Sequence, residues 1–154
     1  MAFMDELQIY KQSVLEILWR SDDIKSIIQN SAGLDNMTYA QFRKYVKNYA
    51  KNPDTIKEKG VYILFEVDPE QIHNPTTMSY RLSIWVVISE ELMEQKEQNG
   101  VLSDILIAKI DRLLNGNTQF GIGKLGLSAS KGFNVPVGFY GRYVTYVSED
   151  FNRV

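Results

Sequence analysis

The hydrophobic pattern of this chain changes period at Gly60, and that change constrains the fold more than any bulk property. Before Gly60, apolar residues recur at helical spacing; after it they alternate one by one, as strands require. Leu7, Val14, Leu15, Leu18 and Trp19 predict a helix from Asp5 to about Arg20, with Asp5 and Glu6 in the dipole-favoured first turn. Ser21-Asp22-Asp23 interrupts it and can cap a shorter helix from Ile24 to about Gln29. Ser31 to Asn36 reads as a loop. Thr38 then opens a third helix, to about Ala50, carrying Tyr39, Phe42, Tyr45, Val46 and Tyr49.

Beyond Gly60, Val61, Ile63, Phe65 and Val67 alternate with Tyr62, Leu64 and Glu66, which predicts a strand that Asp68-Pro69 stops. Glu70 to Met78, with Pro75, reads as a loop. The next strand is the clearest element. Tyr80, Leu82, Ile84, Val86 and Ile88 point one way; Arg81, Ser83, Trp85, Val87 and Ser89 point the other. The pair is expected to be antiparallel. Glu90 to Asn99 suits a short helix or a loop. An amphipathic helix from Val101 to Leu114 follows, buried through Leu102, Ile105, Leu106, Ile110, Leu113 and Leu114 and stopped by Asn115-Gly116. Gly121–Ser130 and Val137–Ser148 form a second strand pair across Lys131–Pro136. Helices followed by β-β-α-β-β make an α+β fold: a mainly antiparallel sheet with helices on one face.

The 154 residues fit one domain, a helical segment to residue 55 and a β-β-α-β-β core over 60–154. A net charge of −2 argues against a polyanion partner. The absence of cysteine excludes disulfides, thiolate metal sites and cysteine nucleophiles. Asp5 and Glu6 precede any apolar run, so no secretory signal is expected, and no stretch reaches the ~20 apolar residues of a membrane span.

Candidate chemistry is sparse, and neither cofactor nor metal is expected. Gly121-Ile122-Gly123-Lys124-Leu125-Gly126 spells GxGxxG, but a dinucleotide loop must follow a strand and open a helix; here a helix precedes and a strand follows. His73, the single histidine, falls in a proline-bounded loop without a second histidine to share a metal. Glu90, Glu94 and Glu97 would share a face if helical, where a cation or basic partner could bind, though charge runs are usually solvated. Asp104 and Asp111 flank the exposed side of the last helix. Arg43, Lys44, Lys47 and Lys51 interleave with tyrosines on the third helix. That pattern can follow a phosphate backbone and stack bases, or be an amphipathic helix whose tyrosines pack while its lysines reach water. Opposite the acidic 90–99 segment, it also gives a polarity that stacked subunits could use.

Trp85 and Val87 lie on the less apolar face of their strand. The last strand is apolar on both faces: Phe139, Tyr143 and Val147 on one, Tyr140, Val144 and Tyr146 on the other. A one-layer helical cover should leave the second face more polar. Either the N-terminal helices wrap around that face or another chain covers it. The candidate interface is therefore Trp85, Val87, Phe139, Tyr140, Tyr143 and Tyr146.

From Gly60 onward the arrangement resembles the neck and tail-completion proteins of tailed bacteriophages, the tail-terminator family in particular. The resemblance rests on the strands VYILFEV and YRLSIWVVIS, the helix ending IDRLLNG, and the aromatic closing strand VGFYGRYVTYVSEDFN. The helical segment Asp5–Ala50 departs from the smaller members of that family. The resemblance implies a non-enzymatic virion protein, assembled in the host cytoplasm. It implies a ring, commonly hexameric, that caps the tail tube and docks the head connector. Edge strands, aromatic faces, the loop Glu70–Met78 and the loop Lys131–Pro136 would make the contacts. The competing expectation is a small nucleic-acid-binding or regulatory module using the helix over 38–51.

Overall fold

The computed structural model describes residues 3–49, 56, 58–74, 77–95, 100–117, 124–133 and 135–150. Three helices come first: α1 (Phe3–Arg20), α2 (Asp22–Ala32) and α3 (Tyr39–Tyr45). Ser21 caps α2 by accepting from the Ile24 amide, and Gly33 ends it in the left-handed conformation at φ 70°. Thr38 caps α3 in a reciprocal box, its hydroxyl accepting from Gln41 N–H while Gln41 Oε1 accepts from Thr38 N–H.

The third helix is half as long as its spacing predicts. It stops at Tyr45, and β1 (Val46–Lys47) pairs in parallel with the second strand at Ile63 and Leu64. Val46 is completely buried there, so the gain from sealing a sheet edge overrides local helical propensity.

The second strand, β2 (Val61–Asn74), runs past Asp68-Pro69 instead of stopping and takes up most of the expected loop Glu70–Met78, and β3 (Thr77–Ser89) takes up its end. Pro69 is tolerated because β1 leaves this part of β2 as a sheet edge, where a missing N–H costs little. Register shifts after Pro69 and after Ile72 absorb the irregularity. After β3 come a 3-10 turn (Glu90–Leu92) and a two-strand ribbon, β4 (Glu94–Gln95) with β5 (Gly100–Val101). The chain continues as α4 (Leu102–Leu114), β6 (Gly126–Phe133) and β7 (Phe139–Asp150).

The main sheet has the order β1-β2-β3-β7-β6, antiparallel except for the short β1–β2 contact. The fold is α+β, as the change of period implies. Helices cover one face. Leu7, Val14 and Leu18 of α1, Ile24 and Ile28 of α2, Phe42 of α3 and Leu106 and Ile110 of α4 pack on the alternating Val61–Val67 and Tyr80–Ile88 sets. Trp19 meets Tyr39 and Phe42 at 5.3 and 5.0 Å, so those rings are core material. Among the described residues, no helix is long and apolar enough to cross a membrane.

Candidate interaction surface

Strand alternation sends Trp85 and Val87 of β3 away from the helices, and β7 stands in register beside them. Trp85 lies opposite Tyr143, Val87 opposite Gly141, and Ser89 opposite Phe139. The rings of Trp85 and Tyr143 are 5.2 Å apart at 38°. Lys131 of β6 stands 5.8 Å over the Tyr143 ring, and the Tyr143 hydroxyl lies 3.4 Å from Ser83 Oγ. On this outer face a second, smaller core forms from Ile56, Tyr62, Leu64 and Val87, with Tyr45, Phe133, Val135 and Phe139 packed on it. The Tyr62 hydroxyl donates to Glu58 O at 2.8 Å. Burial, with lesser contributions from Tyr45 and Glu58, pushes that phenol up to about 12.

The N-terminal helices therefore do not wrap around: their buried side chains belong to the main core, and the outer face is sheltered in part by Tyr45 at the end of α3, by Ile56 and by Phe133 and Val135 at the β6–β7 connection. That connection folds back on Gly141, where an added Cβ would lie 2.7 Å from both Phe133 and Val135. The glycine is a close-approach position, and sequence patterning alone does not mark it. Past Val135 the chain turns through Pro136-Val137-Gly138-Phe139, closed by Phe139 N–H to Pro136 O and enabled by Gly138 at φ 95°. Val137 at its tip is fully exposed.

Of the six candidate interface residues, Trp85, Phe139 and Tyr143 share the outer face and stay half-buried. Val87 is completely buried within the protomer. Tyr140 is exposed, but on the helix-side face. Tyr146 must be corrected: it is completely buried in the main core, and its hydroxyl donates to Asp111 Oδ1 at 2.8 Å. A phenol at that position fills the volume and satisfies a carboxylate of α4. Burial and that hydrogen bond raise its pKa well above the usual tyrosine range. Asp111 is accordingly half-buried, whereas Asp104 is exposed.

The basic candidates do not form one helical stripe. Arg43 and Lys44 lie on α3 and Lys47 on β1; Lys51 is outside the described residues. Arg43 Nη1 donates to Val46 O at 3.0 Å, closing the helix end. Tyr45 stacks on Tyr62 at 5.4 Å, so it offers no platform to a base. Tyr49 alone of the three tyrosines is exposed.

Other candidates disperse. Gly126 opens a strand, not a helix, and Gly121 and Gly123 lie outside the described residues. His73 lies on β2, in a strand where a loop was expected. Glu90 sits in the 3-10 turn and Glu94 in β4, so they share no helical face; Glu97 lies outside the described residues. Glu91 meets Lys59 at 3.6 Å. No group of three potential metal ligands occurs among the described residues. A cavity of about 320 Å³ by Ser79, Asn115, Lys124 and Ser148 holds one titratable side chain, Lys124. An open groove of about 540 Å³ between α1 and Asn48 holds one, Glu16. Neither pairs an acid with a base.

The profile of the YomW family matches residues 12–148, and the chain belongs to that family. The family takes its name from a protein of the SPBc2 phage region of Bacillus. No curated protein matches the chain.

Proposed function

We propose that this YomW-family chain is a non-enzymatic phage structural protein, a tail-terminator or neck subunit that works as an oligomeric ring. The observation that carries this reading is the outer sheet face: Trp85, Phe139 and Tyr143 lie half-exposed in one patch, with no helix over them among the described residues. Half-buried aromatics of this kind are typical anchors of protein interfaces. The exposed Val137 tip lies in the same connection and gives an apolar projection toward a docking partner. Dispersed titratable groups, with no acid-base pair in either cavity, agree with a protein that acts through surfaces. The phage setting of the family's namesake supports the same assignment.

The test is assembly on purified tail tubes, followed by light scattering and negative-stain imaging. Rings that cap the tube and arrest its growth are expected. Trp85→Ala with Tyr143→Ala should lose capping while keeping the native circular dichroism. Capping unchanged in that double variant would overturn the assigned surface, and tubes that ignore the protein would overturn the role. The nucleic-acid reading predicts steep salt-dependent DNA binding that Lys44→Glu with Lys47→Glu abolishes.

A further inference from the structure

Asn115-Gly116 stops α4, and the same two residues clip the helix end to the start of β6. Gly116 N–H donates to Leu125 O at 2.7 Å, and Leu125 N–H donates back to Asn117 O at 3.1 Å. Leu127 N–H donates to Asn115 Oδ1 at 3.2 Å. Asn117 Nδ2 ties the turn to the helix through Leu113 O at 2.8 Å. Leu125, gripped through both its backbone groups, is completely buried. The strand beyond it is exposed from Gly126 through Gly132, so among the described residues the clip and the β7 ladder are what fix β6.

The fold demands glycine at 116, where φ is 78°. That glycine leaves its own nitrogen unshielded: the nearest atom to an added Cβ is Lys124 Cε, 3.9 Å away. Asn115 and Gly116 are both exposed, so water reaches them. An asparagine followed by an unshielded amide can react with itself. Gly116 N attacks Asn115 Cγ; the N–Cγ bond forms, the Cγ–Nδ2 bond breaks, and ammonia leaves with the proton of the Gly116 amide. Water then opens the cyclic imide. Opening at Cγ gives aspartate. Opening at the Asn115 backbone carbonyl gives isoaspartate, whose main chain runs through Cβ and Cγ and is one carbon longer.

The clip opposes the first step. The Gly116 proton is held by Leu125 O, and the side-chain carbonyl that must be attacked is held by Leu127 N–H. Reaction therefore proceeds from the opened clip. We propose that Asn115-Gly116 is a deamidation site gated by this clip, and that its isoaspartyl product releases the start of β6 from α4 for good. An aspartate at 115 still offers Oδ1 to Leu127 and lets the clip close; the lengthened backbone of isoaspartate does not. The inference is independent of the ring reading.

The test is ageing of the full-length protein at mildly alkaline pH, followed by tryptic mass spectrometry. Asn115 falls in the peptide Leu113–Lys124, and the chain's other Asn-Gly pair, Asn99-Gly100, falls in a different one, so the two are read separately. Amide-to-acid exchange at Asn115 is expected at least about tenfold more slowly in the folded protein than in a synthetic Leu113–Lys124 peptide. Asn117→Ala, which removes the tie to Leu113, should speed it about fivefold, the effect of one lost hydrogen bond on local opening. Equal rates in protein and peptide, no exchange in either, or an unchanged rate in Asn117→Ala with native circular dichroism would each overturn the proposal. Hydrogen exchange at the Leu125 and Leu127 amides reads the consequence. Protection should persist in Asn115→Asp and be lost in aged protein enriched in isoaspartate; protection kept in the aged protein would overturn the release of β6.

Discussion

Tyr146 Oη and Asp111 Oδ1 lie 2.8 Å apart, and this one hydrogen bond ties the last strand to the last helix across 35 residues. The phenol is otherwise enclosed by apolar side chains of the main core. Tyr146→Phe keeps the ring and deletes the donor. A hydrogen bond to a charged group contributes about 1.5 kcal/mol at the low end of its range, which suits a half-buried Asp111 that water can reach. Urea denaturation should show a loss of that size with an unchanged m-value. A loss below about 0.5 kcal/mol would mean that the bond contributes little.

Alkaline pH should destabilise the fold earlier than charge repulsion alone requires. Tyr62 is raised from 10.0 to about 12, and Tyr146 is raised further. Each phenol keeps its proton in the folded state while the unfolded chain loses it. The stabilisation is therefore complete below pH 10 and is lost as pH rises through the folded values. Unfolding midpoints measured from pH 8 to 12 should fall above 10, and more gently in Tyr62→Phe. An equal slope in both proteins would refute the assignment.

Gly141→Ala should be costly. The added carbon would sit 2.7 Å from Phe133 and Val135, which must move off the sheet. Overpacking of this kind costs about 1–3 kcal/mol. A lower thermal midpoint with altered Trp85 fluorescence is the expected result. An unchanged emission spectrum would mean that the β6–β7 connection adjusts without uncovering the outer face.

Thr38→Ala removes one half of the capping box of α3 and should cost about 1 kcal/mol in chemical denaturation. Thr38→Ser, which retains the hydroxyl, should recover most of it. Equal stability of the two variants would show that α3 is held by Phe42 packing alone.

The fold was legible where period and burial agree. Tyr80 to Ile88 alternate and every second residue is buried, and Leu102, Leu106, Ile110 and Leu114 line the buried stripe of α4. The α3 boundary was not legible, because Val46 satisfies a helical pattern and a sheet edge equally well; only the presence of β2 beside it decides. Pro69 misleads for a related reason, since its cost depends on whether β2 is an edge strand, a property of the sheet and not of the local sequence. The aromatic outer face could be read from Trp85, Tyr143 and Phe139. Tyr146 could not be separated from them, because parity assigns a face but does not say which face the helices cover.

The β3–β7 seam has a kinetic consequence. The β2–β3 and β6–β7 pairs join strands close in sequence and can zip early, but Met78 meets Asp150 only after the intervening helix has brought the hairpins together. Closing that seam is the step that must recruit distant chain. Side chains along it, such as Ile84 and Val144, are where substitution should slow refolding, whereas changes in α1 should chiefly hasten unfolding.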